Sequence, residues 1–248
     1  MFPTIPIGPL RLQTFGLALL LAYLAGMWLA ARQARRRGVD SDHVTNMGLY
    51  ALLVGIVAAR LGHAVAYFEV YRVDPLQLFS LSPGAFLPLP GLMGAAAMAG
   101  IYLYRHHLSA VRMLDILAPG VVLALIIASL GAFLAGRDLG ALSELPWAVE
   151  LFGVRRHPVA LYQALALSGL LGLLLWADRR ATLRPGQLAL IALFGYATIR
   201  LFLDPLRAEG MLVGDGWRLT QIIALAAVLL TGWLLGRTAP PNAPHQQT

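Results

Sequence analysis

The feature that most constrains this chain is a succession of apolar blocks, each about 17 to 24 residues long, separated by short polar linkers. A helix rises 1.5 Å per residue, so such a block crosses a hydrocarbon core of about 30 Å. Seven are expected, at roughly 13–31, 47–67, 86–104, 113–136, 158–177, 186–204 and 219–236. Composition agrees: 58% of residues are hydrophobic, 12% are charged and the mean hydropathy is +0.70. Soluble domains carry roughly 25% charge. The expected fold class is therefore all-α, a polytopic membrane helix bundle of about seven transmembrane helices.

Charge placement predicts orientation. Arg32, Arg35, Arg36 and Arg37 follow the first block, Arg105 and Arg112 lie between the third and fourth, and Arg179, Arg180 and Arg184 lie between the fifth and sixth. The positive-inside rule makes these loops cytoplasmic, with the N-terminus outside and the C-terminus inside. The longer polar stretches, 68–85 and 137–157, then fall outside as short arms of a single transmembrane domain, 1–237. The proline-rich segment 238–248 is expected to be disordered. The N-terminus lacks the basic region and cleavage site of a secretory signal, so the first block is expected to be retained.

The net charge of +7 comes from arginine alone, all 19 basic residues being Arg. These arginines cluster between apolar blocks rather than along one solvated face, so nucleic acid is not expected as a partner. With no cysteine, the chain has no disulfide, no thiolate nucleophile and no Cys-based metal site. Adjacent His106 and His107 point about 100° apart on a helix, and no HExxH or phosphate-cradling glycine loop occurs. Neither a metal nor a cofactor is expected. Asp115 is expected to cap the fourth span. Small residues four apart, Ala96 with Gly100 and Ala132 with Gly136, are expected where helices approach closely.

Polar groups inside apolar blocks are the functional signal, since a mid-membrane arginine costs roughly 2.5–3.5 kcal/mol. Arg60 and Arg200 are the clearest cases. Arg200 shares a helix face with Asp204, and Arg207 follows three residues on. That arrangement reads either as an intrahelical ion pair or as an anion site whose guanidinium is oriented by Asp204. Arg60 reads either as a bond between helices or as a second cationic group, with His63 on the same side. Arg155, Arg156 and His157 precede Pro158, a helix-start signal, with Tyr162 in the first turn. Alone they read as interfacial anchors.

In order along the chain, GPLRLQTFGLALLLAYLAG, GIVAARLGHAVAYF, LPGLMGAAAMAG, MLDILAPGVVLALIIASLGAFLAGRDLG, RRHPVALYQ and GQLALIALFGYATIRLFLDPLRAEG resemble the prolipoprotein diacylglyceryl transferase family. RHPxxLYQ, and YxxxRxxxDxxR at Tyr196, Arg200, Asp204 and Arg207, carry the likeness most specifically. The resemblance implies a bacterial cytoplasmic (inner) membrane enzyme that moves a diacylglyceryl group from phosphatidylglycerol, an anionic phospholipid, to the cysteine of a lipobox-containing prolipoprotein. It implies that Arg200, Asp204 and Arg207 are catalytic, and that Arg60, His63, Arg137, Arg156, His157, Tyr162 and Tyr196 bind substrate. A proton acceptor for the incoming thiol would be His63, His157 or Asp204. Several positions depart from the family pattern. Leu89 and Pro90 stand for His-Gly; Ser129, Ala132, Ala135 and Arg137 for Arg, Asn, Asn and Glu; and Phe15 for Tyr. Arg137, eight residues beyond Ser129 and about 80° round the helix, is a candidate replacement for the missing guanidinium. A non-catalytic lipid- or lipoprotein-binding homologue is the alternative these departures raise.

Overall fold

The computed structural model describes residues 4–7, 10–79, 83–151, 153–180, 183–208, 212–213 and 217–238. The expected disorder of the C-terminal tail lies outside them. Eight helices are described: α1 (Thr14–Arg36), α2 (Ser41–Ala66), α3 (Phe68–Val73), α4 (Pro88–Arg105), α5 (Ala110–Leu134), α6 (Val159–Arg180), α7 (Gln187–Leu203) and α8 (Leu219–Thr238). Three two-stranded antiparallel hairpins accompany them: β1 (Thr4–Ile7) with β2 (Leu10–Gln13), β3 (Val149–Leu151) with β4 (Val154–Arg156), and β5 (Leu212–Val213) with β6 (Trp217–Arg218). The helical bundle was legible in the hydropathy; hairpins this short carry no comparable signal.

Six of these helices are long and apolar enough to cross a membrane: α1, α2, α5, α6, α7 with its following turn to Leu206, and α8. The six include all the expected blocks except the third. That block forms α4, but its prolines, glycines and terminal Arg105 dilute its hydropathy. Large apolar side chains such as Leu20, Leu21, Leu24 and Trp28 on α1 are more than half exposed. In a bilayer such a surface meets acyl chains and costs nothing.

The chain packs as two compact units, Met1–Ala30 with Leu114–Thr248, and Ala31–Met113. In the first, α5, α6 and α7 share a core of Ala118, Val122, Leu167, Leu170, Leu174, Ala177, Leu188 and Ala192. Helix α1 crosses α5 backbone to backbone: a Cβ on Gly26 would lie 2.8 Å from Gly120 O, and one on Gly120 2.4 Å from Gly26 O. Without hydrophobic drive between helices in lipid, such close van der Waals contact holds the pair. Of the two expected small-residue pairs, Ala96–Gly100 is not a contact of this kind. Gly100 faces open space, and the second unit instead joins α2 to α4 through Gly55, Ala59, Gly91 and Ala95. The Ala132–Gly136 pair marks a helix end, described below.

Asp115 also differs from expectation. It lies inside α5 and accepts hydrogen bonds from Gly186 N (2.6 Å) and Ala189 N (2.8 Å), so it caps α7 rather than its own helix. Gly186 precedes α7 at φ 92° and offers no side chain for capping. A carboxylate borrowed from α5 meets those orphan donors and complements the helix dipole.

Candidate functional site

Helix α5 ends at the site. The N–H of Arg137 donates to Ala132 O (2.8 Å) and that of Gly136 to Phe133 O (3.1 Å), the paired bonds of a Schellman ending with Gly136 at φ 67°. The chain reverses there and brings Asp138, itself at φ 62°, against Arg207. The next segment is hydrogen-bonded on both edges. Ala141 N donates to Leu206 O and Ala208 N to Leu139 O, both at 2.8 Å. On the other edge, Ser143 N donates to Arg155 O and His157 N to Ala141 O, both at 3.0 Å. The 137–157 arm is thus backbone-locked to the end of α7. Gly140 lies at the crossing, where a Cβ would sit 2.0 Å from His157 O.

This platform organises a charged cluster. Arg207 pairs with Asp138, lies 3.3 Å from Asp204 Oδ1 through its Nε, and donates through Nη2 to Gln163 Oε1 at 2.5 Å. Gln163 Nε2 donates to Ser129 Oγ (2.9 Å), which donates to Leu125 O (2.8 Å), so the relay ends on the α5 backbone. Burial lowers the Arg207 pKa from the ordinary arginine value. Arginine nevertheless stays protonated at working pH. Arg200 Nη2 lies 2.9 Å from the same Asp204 oxygen, with 23% of its side chain exposed. Asp204 is 1% exposed. Its contacts with both guanidiniums are ion pairs by distance without hydrogen-bond alignment, and its Oδ2 has no hydrogen-bond partner among the described residues.

These groups line a pocket of about 220 Å³ formed by Asp138, Leu139, Arg200, Asp204, Arg207, Arg218 and Thr220. Three arginines face two aspartates, leaving the lining formally one unit positive. A group of high charge density is favoured in such a pocket. The volume is below the roughly 300 Å³ at which drug-sized ligand pockets begin. It suits a small charged group.

The three expected catalytic residues therefore meet around one pocket, and the expected binding residues scatter. Arg156 Nη1 donates to Gly140 O (3.0 Å), bracing the arm. Tyr162 accepts from Trp147 Nε1 (2.8 Å), and its ring meets His157 edge-on at 6.2 Å. His157 Nδ1 is buried without a hydrogen-bond partner among the described residues. Tyr196 packs against the α5–α6–α7 core. Arg137 does not line the pocket; its guanidinium sits 4.8 Å from the centre of the Phe15 ring. Asp138, Gln163 and Arg218 are not among the expected site residues, although Gln163 closes the RHPxxLYQ motif. Asp138 could have been suspected from its place just past a glycine helix stop, and Arg218 from preceding a span.

In the second unit Arg60 is 8% exposed and donates to three carbonyls, Leu78 O and Ala85 O (both 2.9 Å) and Gln77 O. The rings of Tyr71 and Phe86 lie 5.7 and 5.3 Å from it. His63 Nδ1 shares a hydrogen bond with the Tyr71 hydroxyl at 2.9 Å. Arg60 thus meets the need of a buried arginine by bonding the backbone carbonyls of 77, 78 and 85. Leu89, at the place of the family's histidine, is 68% exposed.

A family model described as prolipoprotein diacylglyceryl transferase matches residues 3–237. A protein of Thermosynechococcus vestitus named phosphatidylglycerol–prolipoprotein diacylglyceryl transferase is 27% identical over 94% of this chain and 91% of its own length. The protein of that name from Chromohalobacter salexigens is 30% identical over 92% and 90%, and that from Clostridioides difficile 28% over 87% and 86%.

Proposed function

The chain belongs to the prolipoprotein diacylglyceryl transferase family, and from that premise we propose that it moves a diacylglyceryl group from phosphatidylglycerol to the cysteine thiol of a lipobox-containing prolipoprotein. The reaction takes place at the outer leaflet of the bacterial cytoplasmic membrane. Seven helices cross that membrane, α4 being the seventh beside the six most apolar, with the N-terminus outside. The arm at 137–157 lies on the outer side with the pocket.

The acceptor sulfur attacks the glycerol carbon that bears the phosphate ester. A C–S bond forms, the C–O bond breaks, the thiol proton passes to an acceptor, and glycerol phosphate leaves with one more negative charge than the phosphodiester had. Fixed guanidiniums stabilise that developing charge without reorganising during the step. Arg200 is the group for this role. It is partly open to the pocket, and it shares its carboxylate with Arg207 rather than owning it. Arg207, held by Asp138, Asp204 and Gln163, positions that carboxylate. Asp204 Oδ2, buried and without a hydrogen-bond partner among the described residues, is an acceptor on the pocket wall for a proton of substrate.

The observation that carries this reading is the convergence of Arg200, Asp204 and Arg207 on one positively biased pocket. One feature favours the alternative, a non-catalytic lipid- or lipoprotein-binding homologue. Ser129, at the place of the family's fourth-span arginine, is a neutral buried link to Gln163. Expression in bacteria depleted of their own transferase decides between them. Restored growth and prolipoprotein modification, both lost with Arg200→Ala, support transfer. Stable membrane insertion without rescue refutes it in favour of the binding homologue.

A further inference from the structure

In the second unit, the 67–79 segment follows α2 through α3 and a 3-10 turn (Pro75–Phe79), and none of its side chains is buried. Phe68, Val70, Val73, Leu76 and Phe79 are all exposed, the last three by 83%, 78% and 80%. Its charged groups are few and mostly engaged. Glu69 and Arg72 pair at 3.1 Å, and Asp74 accepts from Leu76 N (3.2 Å) and Gln77 Nε2 (3.3 Å). In water, an apolar surface of this extent would be an interaction site or an aggregation liability.

Two observations fix the depth of this segment. Helix α2 opens on the polar residues Ser41, Asp42, His43, Thr45 and Asn46, so its apolar part, 47–66, is about 30 Å long at 1.5 Å per residue. That matches the hydrocarbon thickness and places Ala66 at one boundary of it. Tyr67 alone separates α2 from α3, so the segment starts at that boundary. Farther along, where α4 begins, Leu87 N donates to Ala59 O (3.1 Å). Ala59 lies seven residues before Ala66, about 10 Å deeper along α2. The chain from α3 to α4 therefore descends into the leaflet instead of rising into water. Non-helical backbone is tolerated at such depth only where the protein itself satisfies its polar groups. Arg60 does so, donating to Gln77 O, Leu78 O and Ala85 O, with the Tyr71 and Phe86 rings beside its guanidinium. A segment projecting into water could leave those carbonyls hydrated.

We propose that residues 67–79 form an interfacial membrane anchor, lying at the headgroup–acyl boundary of the leaflet in which α2 ends. Its exposed apolar side chains sit among acyl chains, and Arg60 is the internal donor that lets its carbonyls leave water. The partner is the lipid surface itself. This inference is independent of the transfer reaction and of which face of the membrane is outside.

A chain without cysteine permits a direct test by site-specific labelling. Phe68→Cys, Val73→Cys, Leu76→Cys and Phe79→Cys each carry one nitroxide in the full chain, reconstituted into phosphatidylcholine vesicles. Collision with oxygen, which concentrates among acyl chains, is compared with collision with a water-soluble nickel chelate. Val57→Cys, on the exposed face of α2, gives the lipid reference, and Arg36→Cys, exposed at the end of α1, the water reference. The four labels are expected to read about 5–10 Å below the headgroups, between the two references. Readings equal to that of Arg36→Cys overturn the proposal, because the segment then stands in water. Labels shielded from both reagents overturn it as well, since protein then covers the patch, and spin–spin broadening would identify that protein as a second copy. Arg60→Gln, combined with Leu76→Cys or Phe79→Cys, keeps a donor but cannot reach three carbonyls at once. It is expected to shift both labels toward the water reading while the Val57→Cys label stays in lipid. Labels that remain at their original depth in Arg60→Gln overturn the part assigned to Arg60.

Discussion

Gly140→Ala tests whether the backbone pairing within the 137–157 arm, between 139–143 and 154–157, holds Asp138 at the site. An added Cβ would lie 2.0 Å from His157 O and 2.9 Å from both His157 C and Cβ. Ordinary contact begins at 3.4 Å, so the two segments must part by about 1.4 Å, the difference between 3.4 and 2.0. The bonds His157 N to Ala141 O and Arg156 Nη1 to Gly140 O, each 3.0 Å, cannot survive such a displacement. At about 1 kcal/mol each, with an overpacking cost of about 1–3 kcal/mol, the loss comes to about 3–5 kcal/mol. Because the clash is with backbone, no rotamer change relieves it. Thermal unfolding of the purified chain in micelles should fall clearly below wild type, and transfer should drop by two orders of magnitude or more as Asp138 leaves Arg207. Gly169→Ala is the control, since a Cβ there meets nothing within 4 Å. It should leave stability unchanged or raise it by up to about 1 kcal/mol. Wild-type unfolding and transfer in Gly140→Ala would refute the idea that the arm is locked in this way.

Other perturbations probe single contacts. Asp138→Asn removes the charge opposite the mostly buried Arg207. Breaking a fully buried pair costs about 3–5 kcal/mol, and here, with side chains 14% and 21% exposed, the expected loss is about 2–3 kcal/mol, read from thermal unfolding. Asp115→Ala uncaps α7 and should cost about 1–2 kcal/mol, visible as faster amide exchange at Gly186 and Ala189, with the headgroup affinity of the folded protein unchanged. Arg137→Ala should leave phosphatidylglycerol-dependent transfer within a few-fold of wild type, because that guanidinium covers Phe15 and not the pocket. A drop of a hundredfold would restore Arg137 as a replacement anion clamp.

Some of the site was local enough to read in advance. Arg200 and Asp204 sit four residues apart, so helical periodicity brings them together as the ion pair the spacing allowed, and Arg207 joins them from just past the turn that ends α7. Arg60 shows where periodicity fails. Its burial in a span was legible, but whether it served a ligand or the fold depended on three carbonyls 17 to 25 residues downstream. Arg137 fails for a related reason. Angular position on α5 loses meaning once Gly136 ends the helix and turns the chain, so Asp138, not Arg137, faces the pocket.

What the sequence determined by itself is the solvent and the scaffold. Apolar blocks of bilayer length can satisfy their backbone groups in lipid only as helices, so hydropathy and length suffice to specify them. The partners of each costly polar group were decided only by tertiary structure. Asp115 caps a helix 71 residues away, Gln163 joins Arg207 to Ser129, and Arg218 is aimed by carbonyls at the end of α7. A buried charge must find a partner, but the rule names no residue. That choice follows from which backbones approach closely, and the approach is set by glycines such as Gly26, Gly120 and Gly140, whose neighbours no local pattern discloses.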